Sequence, residues 1–254
     1  MAEAPTTTPE ETTPLNAFEQ RIPRKTLLQG AVAVSAAAAS LELLSRTGHA
    51  QTAPESATTI FSIAATAEQL AVTFYSNGVN NATALGLTGA TLDAFKGFLI
   101  EEQIHLNFFV ANGGKPLTST FSFPKGAATF TSLANFIATQ QQLEGAFDSA
   151  FIAAAYEFAQ MGMPDLTRIA CQIAMIEEGH RTVGRYVGGL DPAEELAFAP
   201  QLVATVGDAP AVLTAAGYLS PVAGNTYTYA AADFTSAALA TVYANINNKM
   251  PIHA

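Results

Sequence analysis

A chain of 254 residues that is 49% hydrophobic and only 13% charged has the composition of a globular protein with its own core, not of a disordered chain. Its formal net charge of −10 argues against nucleic acid and anionic membrane surfaces as partners. One cysteine, Cys171, excludes an intramolecular disulfide, and its place in an apolar helical pattern predicts a small core residue.

Residues 1–20 are polar and rich in Pro and Thr, without periodicity, and read as disordered. Arg24-Lys25-Thr26-Leu27-Leu28 then opens an Ala-rich apolar run to Leu44, followed by Gly48-His49-Ala50-Gln51. This is the charged, apolar and small-residue order of an export signal, with cleavage expected after Ala50. The Arg-Lys pair resembles a twin-arginine signal whose second arginine is lysine. Residues 1–50 therefore predict delivery to the periplasm or cell envelope. Glu42 interrupts the run and 27–44 is marginal for a bilayer, so no integral span is expected in the mature form.

From Ser56 to Ser76 the residues Ile60, Ile63, Ala64, Ala67, Leu70, Ala71 and Phe74 form one helical stripe, with Asn77-Gly78 as the expected stop. A second helix is predicted from about Thr91 to Val110, stopped by Asn112-Gly113-Gly114. Residues 113–128, with Gly-Gly and two prolines, form the longest connection inside the body. A third helix is predicted from about Thr131 to Gln160, and Met161-Gly162-Met163-Pro164-Asp165 breaks it. A fourth follows to Val187. Short turns within each pair make partners antiparallel, and the long link lets helices two and three point the same way. Beyond Leu190 the pattern weakens: one or two short helices in 199–217, a loop in 219–230, and a last helix from Ala231 to Asn247.

The chemistry lies at the helix midpoints. Glu68 stands alone on helix one, and Glu102 and His105 lie three apart on helix two. Glu144 stands alone on helix three, and Glu177 and His180 again lie three apart on helix four. Residues i and i+3 share a helix face, so each Glu-x-x-His can hold one ligand. Midpoints meet at one level of a bundle whichever way each helix runs. Four carboxylates buried there without partners would take up protons, whereas two divalent cations would make the cluster neutral. Oxygen-rich ligation with one imidazole per ion suits iron or manganese, iron preferred, better than a structural zinc site. The order also matches the pattern of di-iron and di-manganese bundles. In that pattern Glu68 and Glu144 each cap one ion, Glu102 and Glu177 bridge, and His105 and His180 take one ion each. Glu178 lies two from His180 and faces elsewhere. Glu101 lies four from His105, which geometry permits, but matching the two hairpins favours Glu102. Glu101 and Glu178 are read as supporting or solvated charges, Tyr75 and Asp148 as buried hydrogen-bonded side chains.

At these residues the chain resembles the ferritin-like superfamily, and within it exported bacterial ferritin-like proteins related to the plant desiccation-related proteins. The resemblance covers roughly Thr58 to Leu190, with a looser match to about Pro221, and the six ligand positions match the superfamily motif residue by residue. It implies an all-α, ferritin-like four-helix bundle over residues 51–190, with a long crossover between helices two and three. A C-terminal extension with short helices would occupy 191–254. It also implies a non-haem di-metal centre of iron or manganese.

The reaction is left open by the resemblance, which spans ferroxidases, peroxide-reducing rubrerythrins, manganese catalases and oxygenases. Paired Cys-x-x-Cys motifs are absent from the sequence, which sets aside a rubrerythrin carrying its own electron donor. Two functional expectations follow. One is a redox protein of the cell envelope, an oxidase, peroxidase or catalase-like enzyme acting on O₂ or peroxide in stress protection or metal handling. The other is a structural or stress-associated binding protein in which metal is a staple or absent. Assembly into a homo-oligomer is compatible with either.

Overall fold

The computed structural model describes residues 54–251, so the expectations of a disordered stretch, an export signal and a cleavage position within residues 1–51 fall outside the described residues. Four long helices dominate: α1 (Ala57–Asn80), α3 (Gly89–Ala111), α4 (Leu133–Gln160) and α5 (Pro164–Val187). One turn, α2 (Ala82–Leu85), lies in the first connection. Two short helices, α6 (Ala209–Ala215) and α7 (Ala240–Asn245), follow the bundle. Strands β1 (Thr120–Phe121) and β2 (Tyr227–Thr228) pair antiparallel. Among the described residues no helix is long and apolar enough to cross a membrane.

The ends of the helices are set by local chemistry. The Ser56 hydroxyl accepts the Thr59 amide at the start of α1, Thr88 and Thr91 form a capping box on α3, and Ser132 caps α4. Helix α5 opens on Pro164 and Asp165 and carries Arg185 in its last turn, each placed to suit the helix dipole or the missing N–H. All seven apolar residues of the predicted α1 stripe are buried, and Glu68, 1% exposed, is buried with them.

Two aromatic layers fix how the helices run. Phe74 near the end of α1 stacks on Phe136 at the start of α4, ring centroids 4.5 Å apart, and Phe95 at the start of α3 packs edge-on against Phe136. At the opposite end Phe61, near the start of α1, meets Phe109 and Phe158 at the ends of α3 and α4. Helices α3 and α4 therefore run parallel, each antiparallel to α1. The connection between them must travel the length of the bundle, and it does so along α1. The Lys115 amide donates to Ser62, the Leu117 amide to Thr66, and Phe123 reaches Phe74. The four midpoints are left between the two aromatic layers.

Three expectations are corrected. Asn77-Gly78 does not end α1, which continues to Asn80. Gly78 serves close packing instead: a Cβ there would sit 2.5 Å from the Phe136 ring. Gly78→Ala is thus expected to lower stability by about 1–3 kcal/mol through overpacking, read as a lower urea midpoint with an unchanged slope. Cys171 is exposed rather than in the core, because the buried stripe of α5 passes through Ala170 and Ile173 and leaves Cys171 on the other side. The last helix shrinks from Ala231–Asn247 to Ala240–Asn245. Upstream of it, Asp233 accepts the amide and hydroxyl of Thr235, and the Ala232 amide is taken by Gln103, so the backbone has partners other than a helix ladder.

The segment after Leu190 lies against the bundle. Arg181 and Arg185 both pair with Glu195, the buried Tyr218 hydroxyl donates to Gln142 at 2.6 Å, and the Tyr229 hydroxyl donates to Gln103 at 3.0 Å. Tyr227 of β2 also packs on Phe123 and Phe130 of the crossover.

Candidate metal centre

All six side chains named from the sequence meet at one level of the bundle. Their ligand atoms fall into two overlapping groups, Glu68, Glu102, His105 and Glu177 in one, Glu102, Glu144, Glu177 and His180 in the other. Within each group the atoms lie within 4.8 Å of one another. Glu102 and Glu177 belong to both.

The carboxylate orientations explain the overlap. Around His105, the Nδ1 atom lies 3.5 Å from Glu177 Oε1, 3.7 Å from Glu102 Oε2 and 3.8 Å from Glu68 Oε2. Around His180, the Nδ1 atom lies 3.1 Å from Glu102 Oε1, 3.6 Å from Glu177 Oε2 and 3.9 Å from Glu144 Oε1. Each shared glutamate thus turns one oxygen to each imidazole. Most of these separations are too long for hydrogen bonds. Two ligand atoms each about 2.1 Å from a common ion at tetrahedral or octahedral angles stand about 3.0–3.4 Å apart; the separations here run from 3.1 Å to 3.9 Å, most of them somewhat wider than that.

A second observation tests the fit of a cation. Both carboxylate oxygens of Glu68 and of Glu177, one oxygen each of Glu102 and Glu144, and Nδ1 of His105 are buried without a hydrogen-bond partner. Orphaned carboxylate oxygens inside a protein are costly, by several kcal/mol per ion even after relaxation. Here the orphans belong to the side chains of the two overlapping groups. The donor set, oxygen-rich with one imidazole on each side, fits metal binding.

Without metal the site relies on protons. Burial, reinforced by Glu102, raises the Glu68 carboxyl well above the usual range, and burial with Glu177 and Glu102 does the same for Glu144. Burial works against charge on His105 and His180. The surrounding carboxylates outweigh it and hold both imidazoles protonated to well above their usual pH. Glu102 is the exception: burial favours its acid form, but two imidazoles hold it ionised and push its pKa down. Asp148, buried one helical turn beyond Glu144, is pushed up to about 9 by burial and by Glu177 and Glu178.

Around this cluster stands a shell that the sequence only partly announced. His180 turns Nε2 to Glu101 Oε2 at 2.8 Å, which orients the ring and leaves Nδ1 facing the cluster. Glu178 instead sits on Arg181 and Thr182. The Tyr75 hydroxyl, fully buried, donates to Glu144 Oε1. Gln140 donates both to the Tyr75 hydroxyl, 3.2 Å, and to the carbonyl of His180, 2.7 Å. That approach needs a glycine at 184, since a Cβ there would overlap the Gln140 amide. Gln140 was missed from the sequence, although it lies one turn before Glu144 on the same face. Phe98 closes the site over the His180 ring, centroids 4.3 Å apart.

The cluster has one open side. His105, 12% exposed against 2% or less for the other five side chains, lines a cleft of about 450 Å³ between α3 and α5. Glu101 lines it too, and residues 246–251 form its outer wall.

Residues 56–190 match the family model described as the ferritin-like domain, a little over half of the chain. The chain belongs to the ferritin-like domain family. The matched stretch of this ferritin-like protein runs from the N-cap of α1 to just past α5 and holds all six clustered side chains. The residues that form the outer wall of the cleft lie beyond it. No curated protein and no solved structure matches the chain.

Proposed function

We propose that the ferritin-like bundle holds two metal ions, iron in preference to manganese, and uses them in redox chemistry on peroxide or dioxygen in the cell envelope. One observation carries the reading: Glu102 and Glu177 each direct one oxygen toward His105 and the other toward His180. In this reading Glu68 and His105 hold one ion, Glu144 and His180 hold the other, and Glu102 and Glu177 join them. When bound, such a pair of ions supplies electrons to an oxygen substrate and acts as a Lewis acid.

The chain's own residues have definable tasks. Glu101 holds the His180 imidazole in the tautomer that presents Nδ1. Tyr75, linked to Gln140, holds the Glu144 carboxylate, and burial with Glu144 beside it keeps the phenol protonated as that donor. Phe98 and the two aromatic layers keep bulk water from the His180 side. Access is left to the His105 side, where the cleft is. Export rests on the sequence of residues 24–51, and a twin-arginine route would carry the protein folded, with its metal already bound.

Elemental analysis of aerobically purified protein tests the reading, followed by measurement of peroxide loss and oxygen uptake. Two ions per chain, mainly iron, with turnover that chelation abolishes, is the expected result. Bound metal with no turnover would favour the alternative, a bundle in which metal is a structural staple. Protein without metal from a metal-replete culture, and unable to take any up, would overturn the redox reading and leave only the form of the alternative in which metal is absent.

A further inference from the structure

We propose that Glu157, near the end of α4, is a pH-sensitive latch for the C-terminal segment. Protonated, it lets the turn Val206–Asp208 lie closed on the bundle, and its ionisation loosens that turn. Glu157 stands thirteen residues beyond Glu144, about 20 Å along the helix, so it takes no part in the metal centre. It is 1% exposed, and both its carboxylate oxygens are buried without a hydrogen-bond partner. Three parts of the chain meet over it: the end of α4, the start of α1 and the turn. Val206, Ala209 and Leu213 share an apolar seam there with Ile60 of α1 and Ala154 of α4. The charged groups that act on Glu157 are acids, Glu55 just before the N-cap of α1 and Asp208 at the end of the turn. Glu55 lies over the turn, since a Cβ on Gly207 would sit 2.5 Å from its Oε1. Asp208 is fixed by the amide and hydroxyl of Thr205, both donated to Oδ2 at 3.0 Å.

An ionised Glu157 would place a third carboxylate charge in this seam with nothing donated to it, which is costly. The amides of Val206 and Glu55 lie near and offset part of that cost, but neither completes a hydrogen bond. A cation does not take the place of the proton here. Among the described residues only the two groups of the metal centre bring three or more acid or imidazole ligand atoms together. Burial, and then the charges of Glu55 and Asp208, raise the Glu157 carboxyl above its usual range. A raised folded value means a contribution that is full below the ordinary carboxylate range and is lost as pH rises through the raised value. The turn therefore closes in acid and loosens toward neutral and alkaline pH. The loosening stays local, because Ser149 still holds the Leu202 and Val203 amides and Gln142 still holds the Tyr218 hydroxyl.

The test is amide hydrogen exchange of the purified protein at about pH 5 and pH 8, corrected for intrinsic exchange rates and read by mass spectrometry. Peptides covering 203–213 report the turn, and peptides from the middle of α1 are the reference. Wild type and Glu157→Gln are compared in the same metal state, so titration of the metal centre is common to both. In the wild type, protection of 203–213 should fall about threefold or more against the reference between the two pH values. In Glu157→Gln, which has the same shape and no charge to gain, the fall should vanish. Glu55→Gln removes one of the neighbouring charges from a half-buried position and should keep only part of the fall. No fall in the wild type, or the same fall in Glu157→Gln, would overturn the proposal. If Glu157→Gln does not fold, an undiminished fall in Glu55→Gln overturns it instead.

Discussion

Glu177→Ala should leave the purified protein with less than about a tenth of the wild-type metal, whereas Glu68→Ala should leave one ion of the two. Altering residues that merely orient ligands costs about 10–100-fold in metal affinity, so deleting a ligand shared by two ions should cost each at least that much. The asymmetry follows from the oxygens. Glu177 turns Oε1 to the His105 side and Oε2 to the His180 side, so both positions lose a donor at once. Glu68 is grouped with His105 alone, and Glu144 with His180 alone. Glu102→Ala should behave like Glu177→Ala, and Glu144→Ala like Glu68→Ala. All four residues are buried in one core and the truncation is the same, so a general loss of packing would not separate the pairs. Elemental analysis per folded chain is the measurement. Equal losses in all four variants, or one ion retained in Glu177→Ala, would contradict shared ligation.

Chelation should lower the melting temperature by about 10 °C or more, and by more at pH 9 than at pH 6. Metal present at about a thousand times its dissociation constant stabilises the fold by about 4 kcal/mol per site, and for a domain of this size each kcal/mol is worth about 2–4 °C. The pH dependence comes from the metal-free protein. Glu68 and Glu144 have folded pKa values raised above their unfolded ones by burial. Their contribution is full below the ordinary carboxylate range and is lost as pH rises through the raised value. His105 and His180 are raised by their carboxylates, so their contribution is full below about 6.5 and is lost as pH rises further. All four act in one direction. Glu102, held down by the two imidazoles, acts in the other, but its contribution is lost only at strongly acidic pH. Bound cations take the place of these protons, so the loaded protein should be nearly insensitive over the same window. Thermal melts at the two pH values, with and without chelator, measure the gap. A gap that narrowed at high pH would argue that protons do not occupy the cation positions.

Much of the site was legible because its signal is local. A Glu-x-x-His needs only helical periodicity to put two ligands on one face, and the stripe from Ile60 to Phe74 made α1 plain and put Glu68 in an apolar setting. The supporting residues were harder to read because each acts across a gap in sequence. Tyr75 reaches Glu144, sixty-nine residues away, and Glu101 reaches His180, seventy-nine away. Gly78 read as a helix stop because glycine commonly is one. Its reason for being glycine is Phe136, on another helix.

The sequence alone determined four long helices, the position of a glutamate, with or without a histidine three residues on, at the midpoint of each, and a connection long enough to run back along the bundle. These depend on periodicity, chain length and turn chemistry, which are properties of neighbouring residues. Only the tertiary structure decided that the two histidines share the same two glutamates, that Tyr75, Gln140 and Glu101 brace them, and that residues 246–251 fold back to wall a cleft at His105. Those are contacts between segments far apart in the chain, and burial of apolar surface, which is not directional, brings such segments together without leaving a pattern in either one.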